Sequence, residues 1–545
     1  MHRFNLAKHA WLALFLLVAL VYFYGLGRMP FVGPDEPRYA QVAREMYLRK
    51  DFITPTLGGY TWFEKPALLY WLIIAGYKLF GISEFAARVF VACAGLMIIL
   101  VVGLLARRVE SKSAGEMDGF GLTCASVVAS SLGIIVFAHA VSFDLLLTLT
   151  VAVTLAAFFL ADLETEGRRR NLLLILFYAG IGFALLAKGL VGGIIPCGVI
   201  ALYYVLRWER PPLSKLGIWW GWLLTTAIAA IWYAPVTLRH GWPFIDEFFV
   251  QHHFARYVSN KYLHPQPFYF YLPVMLALAL PWPAFLVEAL VKAKSWQWRR
   301  QTAAAGKLRL FALAWLVWPV LFFSLSGSKL PGYILPALPG AALLIGERVA
   351  KYARGEGSRW SVRATGALLI FAAAGAIVYA GRTNGLPLEC AVIIAVPLIM
   401  AGVINLLLTR LGRLCVVSIV VATFAAIALI VFCAADEVAR EHSVRDLINH
   451  ADARGYSSAP VLQLHHIERT AEFYAAGRLT YLAGGRVEKL ENPQAVLDAL
   501  RKSGAKVALV IVPVEYIYQL RDYAPLEVQV IGDNGAVALV AVKAL

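Results

Sequence analysis

Charged and aromatic side chains gather at six places in this 545-residue chain. Gly33-Pro34-Asp35-Glu36-Pro37-Arg38-Tyr39 sets two adjacent carboxylates beside an arginine and a phenol, and Phe63-Glu64-Lys65-Pro66 again joins acid to base. Lys188 interrupts an apolar stretch between Ala184-Leu185-Leu186-Ala187 and Gly189-Leu190-Val191-Gly192-Gly193. Ser326-Gly327-Ser328-Lys329-Leu330-Pro331-Gly332-Tyr333 carries a lysine on a turn rich in glycine and proline. His252, His253 and Arg256 precede Tyr257, and Asp144 stands in Ala140-Val141-Ser142-Phe143-Asp144-Leu145.

These residue types suit a phosphate. A lysine inside an apolar run is costly unless it meets an anion, and a phosphate offers it charge-assisted hydrogen bonds. The Gly/Pro turn around Lys329 adds backbone N–H groups to its cation. Each cluster also has a plainer reading. Residues 33–39 fit a helix start with a salt-bridged arginine, Lys65 fits an interfacial lysine that snorkels to water, and Asp144 fits a buried, satisfied carboxylate. A metal held by His253 with Asp35 or Glu64 is compatible with the residue types, but the spacing does not specify one. Two acidic positions with several lysines and arginines on one membrane face describe a pocket for an anionic lipid.

The elements that must position these residues are membrane helices. The chain is 60% hydrophobic and only 15% charged, with mean hydropathy +0.68, so lipid is its main solvent. About thirteen apolar runs approach the roughly 20 residues that a bilayer-crossing helix needs. They fall near 10–26, 85–106, 120–138, 143–161, 172–187, 189–206, 216–236, 268–291, 308–325, 331–347, 362–380, 388–408 and 415–435. The first run lacks a small-residue cleavage site behind it and reads as an anchor. The six cysteines lie in or beside apolar runs and form neither a disulfide framework nor a zinc pattern.

A net charge of +16 would suggest nucleic acid in a soluble protein. Here it collects in alternate loops, around Arg107 to Lys112, Arg168 to Arg170, Arg207 to Lys215, Lys292 to Arg309, Arg348 to Arg363 and Arg410 to Arg413, which orients the chain with those loops in the cytoplasm. An odd number of spans then puts the C-terminus outside. Two long outward loops, 27–84 and 238–267, carry the aromatic and charged clusters. Within the first, 35–47 reads as an interfacial amphipathic helix, and 67–80 is too short for a confident span and also fits the interface.

After residue 435 the pattern turns soluble. Helical periodicity at 444–454, 467–475 and 493–503 and extended runs at 460–464, 506–512 and 536–542 predict a small α/β domain. The domains expected are therefore 1–440, a polytopic α-helical membrane part, and 441–545, a soluble part outside the membrane. No internal repeat or Gly-rich nucleotide loop is present.

Asp35-Glu36-x-Arg38-Tyr39, Glu64-Lys65-Pro66, Lys188-Gly189 and Lys329-x-x-x-Tyr333-x-x-Pro336 resemble the motifs of membrane glycosyltransferases of the GT-C superfamily. Within it the chain looks most like the bacterial transferases that move 4-amino-4-deoxy-L-arabinose (aminoarabinose) from undecaprenyl phosphate to lipid A. The resemblance implies a monomer in the bacterial inner membrane, N-terminus cytoplasmic and C-terminal domain periplasmic, with no required cofactor and an open question over a divalent metal. It implies Asp35 as the principal catalytic carboxylate and Asp144 as a second. Substrate contacts would come from Glu36, Arg38, Tyr39, Glu64, Lys65, Lys188, His253, Arg256, Lys329 and Tyr333. Two other readings compete: transfer of a polyprenyl-linked sugar to protein hydroxyls, and a lipid or glycolipid transporter. Against the transporter stand the absence of a repeat and the collection of polar residues at one face.

Overall fold

The computed structural model describes residues 2–113, 117–164, 167–255, 265–382 and 386–545, with the backbone alone for residues 2–10 and 253. The chain divides into two compact units. One comprises Met1–Tyr24, Glu64–Leu69 and Val89–Ile430, the other Gly25–Phe63, Tyr70–Arg88 and Val431–Leu545.

The first unit is helical. Among the described residues nine helices of the chain are long and apolar enough to cross a membrane, and two bent helix pairs bring the number to eleven if each pair is one span. The runs expected at 10–26 and 189–206 correspond to shorter apolar helices, Trp11–Phe23 and Val191–Arg207. Phe143–Asp162 packs against Arg168–Lys188, which packs in turn on Ile218–His240, and Ala304–Ser324 lies against both Leu338–Ala353 and Val191–Arg207. Arg359–Arg382 and Leu388–Leu407 approach closely at glycines: a Cβ on Gly366 would stand 2.8 Å from the Gly402 carbonyl oxygen.

The bent pairs depart from expectation. The single span predicted over 268–291 is two helices, Phe268–Leu278 and Pro283–Ser295, at 118°. Pro281 cannot continue the first helix, since it lacks an N–H and its ring clashes with a preceding turn, and Pro283 begins the second at a position that needs no N–H. The run at 120–138 also breaks, by 56°, between Phe120–Ser130 and Leu132–Ala138. A helix broken at membrane depth exposes backbone groups that need partners. Here the breaks meet: Leu132 N–H donates to the Leu280 carbonyl at 2.8 Å, and a side-chain bond from Trp282 Nε1 to Ser130 Oγ at 3.0 Å joins the same two places.

The second unit holds the helix Asp35–Arg49, which starts one residue after Pro34 with Asp35 and Glu36 in its first turn. Carboxylates there complement the positive end of the helix dipole. The C-terminal part builds a four-stranded sheet in the order Val461–Gln463, Ala508–Pro513, Val537–Ala544, Leu526–Asp533, with the first pair parallel and the rest antiparallel. Alternate side chains face two apolar layers. Val461, Leu509, Ile511 and Leu539 meet Leu447 and Ile448, while Val510, Val512, Val540 and Val542 meet Val496, Leu497 and Leu500. The strand Leu526–Asp533 was not anticipated. It lies at the sheet edge, and Glu527 and Gln529 break its apolar run.

Arg88 organises the start of this unit. It is 2% exposed and lies with its guanidinium 4.9 Å from the centre of the Phe31 ring. Nε and Nη2 donate to the two Glu36 oxygens at 3.0 and 2.9 Å. Nη1 donates to the Leu26 and Met29 carbonyls, and Nη2 also to that of Pro30. Glu36, expected at the substrate, thus has both oxygens committed to holding residues 26–36. Arg88→Met is predicted to destabilise the protein by about 3–5 kcal/mol, because it leaves a carboxylate buried without its counter-charge. Chemical unfolding in detergent measures this, and adding Glu36→Gln restores part of the loss.

Candidate functional site

Lys188 is the last residue of Arg168–Lys188, a helix of 21 residues. At 1.5 Å per residue it is about 30 Å long, so the lysine stands a bilayer's thickness from Arg168. The chain turns at Gly189, whose φ of +73° and ψ of −149° strain any other residue. Asp144 lies in the first turn of Phe143–Asp162, capped by Ser142, whose hydroxyl accepts from Asp144 N–H at 3.1 Å. Lys188 Nζ donates to Asp144 Oδ1. A cation at a helix C-terminus meets an anion at a helix N-terminus, so both dipoles favour the charges they carry.

Tyr333 closes the group. Its ring centre is 4.7 Å from Lys188 Nζ and 5.2 Å from that of Phe323. The residue before it is glycine for a reason: a Cβ on Gly332 would come within 2.6 Å of Asp144 Oδ2. Tyr271 Oη donates to the Leu330 carbonyl at 3.2 Å, which steadies the same turn.

These side chains border a cavity of about 280 Å³ whose polar lining includes Glu64, Lys65, Lys188, His252, Ser326 and Tyr333. Leu190, Val191, Ile194, Phe322 and Phe323 make its walls apolar. Glu64 and Lys65 are paired at 2.7 Å. Such a cavity offers two ammonium groups to an anion and a greasy surface to what the anion is attached to. Lys329 is not in that lining, but its Nζ donates at 2.7 Å to the carbonyl of Ser326, which is, and the residue is 7% exposed. Arg256 and the side chain of His253 lie outside the described residues. No three His, Cys, Asp or Glu side chains converge as metal ligands among the described residues.

Asp35, Arg38 and Tyr39 belong to the second unit. The Asp35 side chain is more than half exposed and lies 3.9 Å from Arg38 Nη1. Arg38 is 3.5 Å from Glu472, a fully buried carboxylate that Arg469 also engages at 2.9 Å, and it stacks over Trp62 at 5.3 Å. Tyr39 is buried with its ring 6.5 Å from that of Tyr70.

The C-terminal part therefore reaches into the first loop through the short helix Ala471–Tyr474. Arg44 donates to the Phe473 carbonyl, Phe31 N–H donates to Tyr474 Oη, and Tyr474 Oη donates to Glu84 at 2.9 Å. Burial, with Glu84 alongside, pushes the Tyr474 phenol well above its ordinary pKa and keeps it a neutral donor. No sequence signal marked Glu472 or Trp62 as partners of Arg38, since the pairing joins residues far apart in the chain. The aromatic lining by Phe322 and Phe323 was hidden for another reason: phenylalanine is ordinary in an apolar helix.

A family model described as dolichyl-phosphate-mannose-protein mannosyltransferase matches residues 9–243. That range includes Asp35, Lys65, Asp144 and Lys188 but not Lys329 or Tyr333. Curated relatives are named undecaprenyl phosphate-alpha-4-amino-4-deoxy-L-arabinose arabinosyl transferase. That of Pseudomonas aeruginosa (strain UCBPP-PA14) is 33% identical over 353 residues, 64% of this chain and 61% of that protein. That of Aeromonas salmonicida (strain A449) is 32% identical over 334 residues, 61% of this chain and 58% of that protein. The matches thus span about three fifths of these relatives' length. Among solved structures, ArnT from Cupriavidus metallidurans bound to undecaprenyl phosphate is 24% identical with a TM-score of 0.76, covering 97% of this chain and 98% of that one. Its apo form also gives a TM-score of 0.76. The chain has the fold of ArnT, a multi-pass helical membrane architecture with a small C-terminal sheet.

Proposed function

We propose that the chain is an integral-membrane glycosyltransferase that moves 4-amino-4-deoxy-L-arabinose from undecaprenyl phosphate to the phosphate groups of lipid A. The observation that carries this reading is the cavity in which Lys65, Lys188 and Tyr333 face an apolar wall. A polyprenyl phosphate has that same division, an anion on a greasy tail. The names of the relatives supply the sugar and the carrier. The protein would work as a monomer in the bacterial inner membrane, with its N-terminus in the cytoplasm and its C-terminal part in the periplasm. It would need lipid substrates and no nucleic acid.

In this reaction an oxygen of a lipid A phosphate attacks the anomeric carbon of the sugar. The bond from that carbon to the carrier phosphate oxygen breaks, and undecaprenyl phosphate leaves with its electron pair. The nucleophile is already anionic near neutral pH, so no strong general base is required. The barrier lies in bringing two anions to one carbon, which cations lower by neutralising charge and by orientation. Lys188 and Lys65 take the carrier phosphate, and Asp144 holds Lys188 in place. Asp35 stabilises positive charge that develops on the sugar or binds its amino group. An added cationic sugar lowers the negative charge of lipopolysaccharide, which is the physical basis of polymyxin resistance.

The family model's description favours one other acceptor, a protein hydroxyl. Asp35 would then be a general base. Mass spectrometry of lipid A and of envelope proteins, from cells with and without this chain, separates the two. The proposal predicts a mass gain of one aminoarabinose on lipid A that Asp35→Asn abolishes at normal abundance of the protein. An Asp35-dependent sugar on protein alone would replace it with the second reading, and full activity of a folded Asp35→Asn variant removes Asp35 from the chemistry. Lys188→Met is predicted to lower transfer by about 10²-fold or more. Because Asp144 acts through that lysine, adding Asp144→Asn costs little further, as rates in purified protein will show.

A further inference from the structure

We propose that the first unit carries a second anion site, a cavity that binds a phosphate group where Lys292, Arg309, Arg348 and Lys351 converge. The cavity is about 330 Å³ and is lined by those four cations with Ser295, Trp296, Gln297 and Gln301. It is remote from the cavity of Lys188. Arg309 and Phe322 sit 13 residues apart on the helix Ala304–Ser324, about 20 Å along its axis.

The charge balance is what points to a ligand. Arg309, Arg348 and Lys351 all engage one carboxylate, that of Glu347, at 2.8, 2.9 and 3.0 Å. Glu347 is 4% exposed and lines a neighbouring cavity rather than this one. With Lys292, the lining of this cavity carries four positive charges and, among the described residues, no carboxylate. The neighbouring cavity of about 370 Å³ shares Arg309 and Lys351 and adds Arg354 beside Glu356. Loop charges that only orient a membrane protein need not converge. These come from three helices, Pro283–Lys292, Ala304–Ser324 and Leu338–Ala353, onto one hollow.

The surroundings identify the chemistry. Trp296 lines the cavity, and its ring centre lies 6.3 Å from that of Trp298; tryptophans gather at headgroup level. Basic hollows between helix ends at that level take lipid phosphates. The shared ligand chemistry is a phosphate with hydrogen-bonding oxygens, carried by an anionic lipid headgroup or free in solution.

Native mass spectrometry of the purified full chain with added phosphatidylglycerol or phosphatidylcholine tests the site, with thermal unfolding in inorganic phosphate as the soluble arm. The wild type is expected to retain phosphatidylglycerol over phosphatidylcholine by about tenfold, and Lys292→Gln with Arg348→Gln to lose that preference. Salt at about 1 M should erase the preference in the wild type, a readout that does not depend on the variant folding. If inorganic phosphate alone raises the wild-type melting temperature, and not that of the folded variant, the site stands with a soluble source. Equal retention of the two lipids with no phosphate effect overturns the proposal, as does an undiminished preference in the variant or at high salt.

Discussion

An ionised side chain among apolar helices must have a partner, and the ion pair of Lys188 with Asp144 is where that constraint governs this molecule. Neither residue could stand alone among Leu186, Ala187, Leu190 and Phe323. Together they fix the end of one helix against the start of another, with both helix dipoles favouring the arrangement. The small residues nearby follow from the pair. Gly189 makes the turn that ends the lysine's helix, and Gly332 lets a chain pass against the aspartate. A lysine so held is fixed in position yet keeps donors for an anion, since an ammonium has three.

The same economy of charge runs through the rest of the chain. In the second unit Glu36 is consumed by Arg88, and Arg38 is held by Glu472. Glu347 gathers three cations in the first unit. Glu164 shows the partly buried version: although desolvation acts to raise its pKa, hydrogen bonds from Arg108 and Lys112 hold it below the ordinary carboxylate range. Glu36 is matched oxygen for donor, whereas the cations around Glu347 exceed the charge they meet.

Much of this was legible in the sequence because membrane helices announce themselves by length and hydropathy. Lys188 stood out as a charge in an apolar run, and Asp144 as a carboxylate at the start of one. The breaks were less visible. Pro281 and Pro283 marked the first only in retrospect, since prolines elsewhere, such as Pro319, sit inside a continuous helix. The break at Ser131 is marked locally only by Ser130, Ser131 and Gly133; its partner is distant, since Leu132 N–H donates to the Leu280 carbonyl, 148 positions away. Pairing explains the other misses. Glu36 and Asp35 are neighbours of the same type, and only the position of Arg88 separates a clamp from an exposed carboxylate. The edge strand Leu526–Asp533 alternates Leu526, Val528 and Val530 with Glu527 and Gln529, so its half-buried character was legible.

The proposed reaction requires the cavity of Lys188 to receive the phosphate of a polyprenyl carrier. The most direct test is equilibrium binding of undecaprenyl phosphate to the purified chain in detergent, wild type against Lys188→Met, with Asp35→Asn as a folded reference. Loss of a charge-assisted hydrogen-bonding partner predicts binding weaker by about tenfold or more in Lys188→Met. Equal affinity of wild type and Lys188→Met would contradict the account, because the carrier phosphate would then be held somewhere else.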